Sequence, residues 1–223
     1  MKNRVACLVR ITCCVIIRRR FFAPYVLNEG GGLAFPTRSG NVFTVQTAEK
    51  GILWFKVKAS GTPEHGSMPN VAENAIMRMN KVIEKLENHQ SRVALVPSVK
   101  RFLEEIARKE AASREPLTSL LVNPELADDV LAELVKTSPQ LAEEIRPRLR
   151  MTITPTIIRG GVKENVIPCG CETVFDCRFL PGQESDQTIG LIKGLLGEVY
   201  GKKLVFEALH VQEPSESSAE TPL

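Results

Sequence analysis

Apolar and polar residues alternate along "ILWFKVKAS" (residues 52–60), a stretch rich in β-branched and aromatic side chains, and a half-buried strand is predicted there. "MTITPTIIRG" (151–160) alternates Ile and Thr. "CETVFDCRFL" (171–180) is a further strand pattern closed by Pro181-Gly182, and "KLVFEALHV" (203–211) is the last. Two segments carry helical spacing instead. In "VAENAIMRMNKVIEKLENHQ" the residues Val71, Ala75, Met79, Val82, Ile83 and Leu86 fall on one stripe, with Asn70 placed to cap it. "SDQTIGLIKGLLGEVYG" reads as a helix capped by Ser185 and stopped at Gly201. Between them, "SVKRFLEEIARKEAA", "NPELADDVLAELVKT" and "SPQLAEEIRPRL" are shorter helical patterns that begin at Ser or Asn. Upstream, "YVLNEGGGLAFPTRSG" is a short apolar strand running into a glycine-rich loop, and "NVFTVQTAEKG" alternates before a turn at Lys50-Gly51.

Without the helical excursion, the order is strand, helix, strand, strand, helix, strand. That order predicts an α+β fold: a ferredoxin-like split βαβ, four-stranded antiparallel sheet with two helices on one face, plus a helical insertion at about residues 91–150. The predicted divisions are a leader (1–22), a short preceding segment (23–50), the sheet domain (51–211) and a polar tail (212–223). A sheet covered on one face leaves an edge or a face for pairing with another copy.

Composition narrows the function classes. Hydrophobic residues make up 43% of the 223 and charged residues 25%, enough for a real core. The net charge of +3, part of it from Arg18, Arg19 and Arg20, gives no basic stripe. The strands also lack paired aromatics for stacking bases, so no nucleic-acid partner is expected. No apolar run reaches the ~20 residues of a transmembrane segment. In "MKNRVACLVRITCCVIIRRRFF" Arg10 splits the apolar run, and arginines stand where a cleavage site needs small residues. A poor secretion signal, a membrane-surface segment and an unstructured start stay open, and so does the compartment. The six cysteines form no CxxC pair and read as small buried side chains.

One of three histidines lies in "GTPEHGSMPN", a glycine-flanked corner just before the first helical stripe. By itself His65 reads as an ordinary loop histidine or as a ring presented to something outside its own domain. His89 and His210 read as a helix-end and a strand residue. Asn165 alone reads as a turn residue, and Arg178 as a surface strand residue.

"GILWFKVKASGTPEHGSMP", "TITPTIIRGGVKENVIP" and "ETVFDCRFLPG", in that order, resemble the lid, or dimerisation, domain of the M20 metallopeptidases. That family includes carboxypeptidases and aminoacylases that hydrolyse amide bonds at a two-zinc site. The resemblance runs from about Tyr25 to the end of the chain. It implies that His65 reaches across a dimer and donates to the substrate carbonyl as that oxygen gains charge, a stabilisation confined to the transition state. It further implies that Asn165 and Arg178 grip substrate at the same entrance, the guanidinium taking a carboxylate. In "YVLNEGGG", Glu29 corresponds to a zinc ligand, and residues 23–50 to a remnant of the zinc catalytic domain.

The family's remaining metal residues are an early His-x-Asp, a bridging Asp, a Glu-Glu pair and a late His. No His-x-Asp occurs here, and Glu104-Glu105 and Glu143-Glu144 fall in the helical excursion. The metal site around Glu29 is therefore expected to be incomplete, zinc not stably bound, and the chain inactive alone. The implied role is the dimerisation/lid portion of a zinc-dependent amidohydrolase or peptidase acting on peptides or N-acyl amino acids. Its partner would be a second copy or a full-length M20 relative. The alternative is a dimerisation domain with no role toward substrate.

Overall fold

A computed structural model of the chain describes residues 34–37, 40–69, 72–200 and 203–218. They form β1 (Ala34–Thr37), β2 (Gly40–Phe43), β3 (Ala48–Glu49), β4 (Gly51–Ser60), β5 (Glu64–His65), α1 (Ala75–Glu87), α2 (Pro97–Lys109), α3 (Arg114–Val122), α4 (Ala127–Thr137), α5 (Pro139–Leu149), β6 (Thr152–Gly160), β7 (Val166–Ile167), β8 (Gly170–Phe179), α6 (Ser185–Tyr200), β9 (Leu204–Gln212) and β10 (Ser215–Glu216). The fold is α+β.

Alternation in β4 and β8 decides the main sheet. Leu53, Phe55, Val57 and Ala59 are buried on β4, and Cys171, Phe175, Cys177 and Phe179 are buried on β8. The two strands pair antiparallel along their full length, from Gly51↔Phe179 to Ser60↔Gly170. β6 adds outside β8 and β9 outside β4, both antiparallel, giving the order β6-β8-β4-β9. The buried face holds Met79, Val82 and Leu86 of α1 with Ile192 and Leu196 of α6. At its centre Phe55 stacks on Phe175 with centroids 5.0 Å apart. Each such buried side chain contributes ~1.5–3 kcal/mol.

The opposite face carries the other strand residues in cross-strand rows. One row joins Gln212, Ile52, Arg178 and Thr152, and the next joins His210, Trp54, Asp176 and Thr154. Toward the far end the rows are charged, with Lys58–Glu207 at 2.9 Å, Lys56–Glu172 at 3.7 Å and Arg159–Glu172 at 3.8 Å.

Helices α2 to α5 enclose a second core, built from Leu103, Ile106, Leu117, Leu120, Leu134, Leu141 and Ile145 among others. α3 is a helix beyond those the sequence pattern indicated. It is short and its apolar pattern is broken by Thr118 and Ser119, whose hydroxyls bond back to the carbonyls of Arg114 and Glu115 at 2.7 and 3.0 Å. Its Leu117 and Leu120 nonetheless anchor it in the core.

The structure corrects other local expectations. α1 is capped by Asn74, whose side chain accepts from the Ile76 and Met77 amides at 2.9 and 3.3 Å. Asn70 lies outside the described residues. Glu73 is kept out of the helix by Thr62, which donates its amide to the Glu73 carbonyl and accepts the Glu73 amide on its hydroxyl. Ser185 begins α6, and its hydroxyl is bonded to Glu213. The tail, read as polar loop, forms β10, pairing Ser215↔Glu49 and Glu216↔Ala48 against β3. Cys171 and Cys177 are buried as expected, whereas Cys169 is exposed on the turn before β8.

Candidate functional site

The chain leaves β4 at Gly61, whose amide donates to the Cys169 carbonyl at 2.8 Å. A Cβ there would stand 2.1 Å from the Glu73 carbonyl oxygen, so only glycine admits this approach. The close approach directs residues 62–69 into a corner against the loop after β6. That second loop turns at Gly161, with φ of 76°. The corner and the loop then pair as β5 and β7, Glu64↔Ile167 and His65↔Val166. The Gly66 amide donates to the Asn165 carbonyl at 2.8 Å and closes the clip. Two motifs a hundred residues apart, "HGSMP" and "KENVIP", thus meet through backbone hydrogen bonds.

His65 and Asn165 are both exposed on this clip. The corner's amides are satisfied locally. His65 N–H donates to Glu64 Oε1 at 2.9 Å and Met68 N–H to the His65 carbonyl at 2.9 Å. The Nδ1 of the ring lies 2.8 Å from Ser67 Oγ and 3.3 Å from the Ser67 amide nitrogen. Behind the corner, Glu73 bonds Arg78 at 2.9 Å and pairs with Lys203. Its carboxyl is held below the usual range by Lys203 and then Arg78.

Arg178 is not brought to this clip. It sits on β8 across from Ile52, while the clip adjoins the end where Gly170 faces Ser60. The eight residue-to-residue steps of extended strand from Gly170 to Arg178 span about 27 Å at ~3.4 Å each. Within one chain Asn165 and Arg178 therefore lie toward opposite ends of the sheet, with β8 running unbroken between them. The guanidinium instead makes two bonds to Asp176, 2.8 and 3.0 Å, which raise its pKa further. Trp54 and His210 lie in the Asp176 row with ring centroids 5.1 Å apart.

Arg178 also lines a cleft of about 940 Å³ between residues 44–50, α2, α5 and the sheet's end. Lys50 borders the same cleft and donates to the Pro147 and Arg150 carbonyls at the end of α5, both at 2.7 Å. Burial lowers its pKa to about 8, against a raising contribution from Cys177 and lowering ones from Arg178 and Arg148. Burial pushes the Cys177 thiol up to about 12.

Glu29 lies outside the described residues. Glu105 and Glu144 are helix-surface carboxylates paired with Arg108 and Arg148. Among the described residues no three His, Cys, Asp or Glu side chains gather as a metal site. No described helix is long and apolar enough to cross a membrane. Ser67 stands two positions from His65, where Ser/Thr side chains commonly bond their neighbours, and this spacing is the one signal for it in the sequence. The Trp54–His210 pair needs the β4–β9 register to be seen.

A family model described as a peptidase dimerisation domain, of the M20 type, matches residues 47–203. Among curated proteins, the chain is 26% identical over 201 residues to a probable carboxypeptidase S-like 2 of Dictyostelium discoideum, covering 88% of this chain and 37% of that one. It is 24% identical to the N-fatty-acyl-amino acid synthase/hydrolase PM20D1 of Homo sapiens, covering 85% and 36%. The chain thus spans little more than a third of these relatives. Among solved structures, human carnosine dipeptidase 1 shares the fold with a TM-score of 0.52 at 15% identity, over 78% of this chain and 39% of that one. The dipeptidase Dug1p of Saccharomyces cerevisiae does so with a TM-score of 0.51 at 15% identity, covering 78% and 38%. With the match spanning the clip and three of the four strands of the main sheet, the chain belongs to the M20 family of peptidase dimerisation domains.

Proposed function

We propose that the chain is the lid and dimerisation element of an M20-type amidohydrolase or peptidase acting on peptides or N-acyl amino acids, and that it lends His65 to a partner's active site. The observation that carries this reading is the exposed clip. His65 and Asn165 project from backbone-paired loops rather than packing into their own core. The similarity to a probable carboxypeptidase S-like protein and to an N-fatty-acyl-amino acid synthase/hydrolase supports the substrate class. The strand order β6-β8-β4-β9, with α1 and α6 on one face, supports the split βαβ layout.

An imidazole N–H at His65 and the Asn165 carboxamide would donate to an oxygen that becomes negative during amide cleavage. Loss of one such donor lowers turnover by ~10²–10³-fold in a complete site. Arg178, at the far end of the sheet, would serve a different site from its own chain's His65. In a symmetric dimer each site would combine one copy's Arg178 with the other copy's His65 and Asn165. The pairing surface is edge strand β6, where Ile157 and Ile158 are exposed, continued by Ile76 and Met77 of α1. Zinc, when bound in a complete M20 enzyme, supplies an activated water. The described residues here do not form a site for it, and the proposed work of His65, Asn165 and Arg178 is binding and charge stabilisation.

Sedimentation equilibrium and hydrolysis assays with added Zn²⁺ on N-acyl amino acids and dipeptides test the reading. A dimer without turnover by itself is the expected result. A monomer at every concentration overturns the dimer role, turnover by the chain alone overturns the incomplete site, and turnover reconstituted with a full-length M20 relative that survives His65→Ala overturns the donor role.

A further inference from the structure

We propose that Ser67 is a positioning residue that fixes the tautomer and direction of the His65 ring, leaving Nε2–H as the outward donor. The inference rests on the donor role assigned to His65 and adds how that donor is prepared.

The Ser67 N–H only donates, and it points at His65 Nδ1 from 3.3 Å. Nδ1 must then present its lone pair, because a proton there would face another proton. The neutral ring accordingly carries its hydrogen on Nε2. The Ser67 hydroxyl, 2.8 Å from the same nitrogen, donates to it as well. Both contacts come from one residue two positions along, so they form within the turn that the Met68 amide closes on the His65 carbonyl at 2.9 Å.

The ring is exposed, and an exposed imidazole left to itself rotates about its side-chain bonds and exchanges tautomers. Anchored at Nδ1, it keeps Nε2 on the side away from its own corner, where a developing oxyanion of another chain would need a donor. Preorganisation of this kind acts on the transition state, since the proton need not be moved or the ring turned when charge appears. The clip supports the anchor from behind. The His65 amide is held by Glu64 Oε1, and the next amide, of Gly66, by the Asn165 carbonyl.

The test is nitrogen-15 NMR of the imidazole in the full chain at about pH 8.5, above the ordinary histidine range near 6.5. Wild type is expected to show a single Nε2–H tautomer with Nδ1 shifted as a hydrogen-bond acceptor. Ser67→Thr should keep that signature. Ser67→Ala should move the Nδ1 shift toward that of a free imidazole and give a measurable Nδ1–H population, while amide shifts outside the corner stay in place. A wild-type ring protonated at Nδ1, or identical ring shifts in wild type and Ser67→Ala, overturns the inference. The readout needs no catalysis. A correct tautomer with no effect of His65→Ala on any reconstituted turnover would sink the donor role alone, and the reverse outcome would sink only Ser67's part.

Discussion

Gly61 shows how tightly a single residue sets the site. Its missing side chain lets the Glu73 carbonyl come within 2.1 Å of where a Cβ would stand. Gly61→Ala must therefore push the corner away from α1. The expected result is a loss of ~1–3 kcal/mol in urea denaturation, typical of overpacking, with amide shifts concentrated at residues 61–75. Lys50 gives a second test at this scale. Burial holds its amine at about 8 against the ordinary 10.5. Between those values the unfolded chain binds a proton that the folded chain does not, so this group's contribution to stability rises with pH across that window. Below pH 8 its unfavourable contribution is constant. Lys50→Met should therefore flatten the slope of stability against pH from 8 to 10.5, measured as denaturant midpoints of the two proteins. The special position of His65 was visible in "EHGSMP", but the partner that orients its ring was not, because a hydroxyl–imidazole contact depends on turn geometry that residue types leave open.

At the scale of elements, β6 carries the interaction argument. Pro155 is tolerated because an edge strand has amides with no ladder partner, and the register slips at Thr156 between Pro155 and Ile157. Ile157 and Ile158, 49% and 58% exposed, follow that slip on an edge that no described strand covers. Placing a charge there should block pairing without unfolding the sheet, whose core lies on the inner strands. Ile158→Lys is expected to weaken self-association by ~10-fold or more, about 1.4 kcal/mol, with unchanged circular dichroism. Sedimentation velocity across a concentration series checks this. The four strands of the main sheet were legible to within one residue at their ends, since period-two alternation follows directly from a sheet with one covered face. α3, β5, β7 and β10 were not. α3 holds its place through Leu117 and Leu120 in a core made by other helices, and β10 exists only because β3 lies beside it.

At the scale of the whole molecule, the chain consists of two cores tied at one end of the sheet. The ribbon of β3 and β10 joins the segments before β4 and after β9. Each segment also contacts the helical layer: Lys50 at the carbonyl end of α5, and Glu216 at the amide end of α2 through Ser98 N–H at 2.9 Å. A cation at a helix C-terminus and an anion at an N-terminus both match the helix dipoles. If two copies pair, association adds to apparent stability by mass action. The thermal midpoint of wild type is then expected to rise with protein concentration, and that of Ile158→Lys to begin rising only at ~10-fold higher concentration, as differential scanning fluorimetry over a hundredfold dilution series would show.

Periodicity determined the strands, the two helices on the sheet and the insertion between them, because burying one face imposes its period on the residues that do so. The resemblance to the M20 motifs, rather than spacing or periodicity, singled out His65, Asn165 and Arg178. Only the tertiary structure decided how they are grouped. Backbone pairing of β5 with β7 joins His65 to Asn165, and the unbroken length of β8 keeps Arg178 at the other end. Local sequence records which side chains face a core, whereas distance between sites depends on strand pairing between segments remote in the chain.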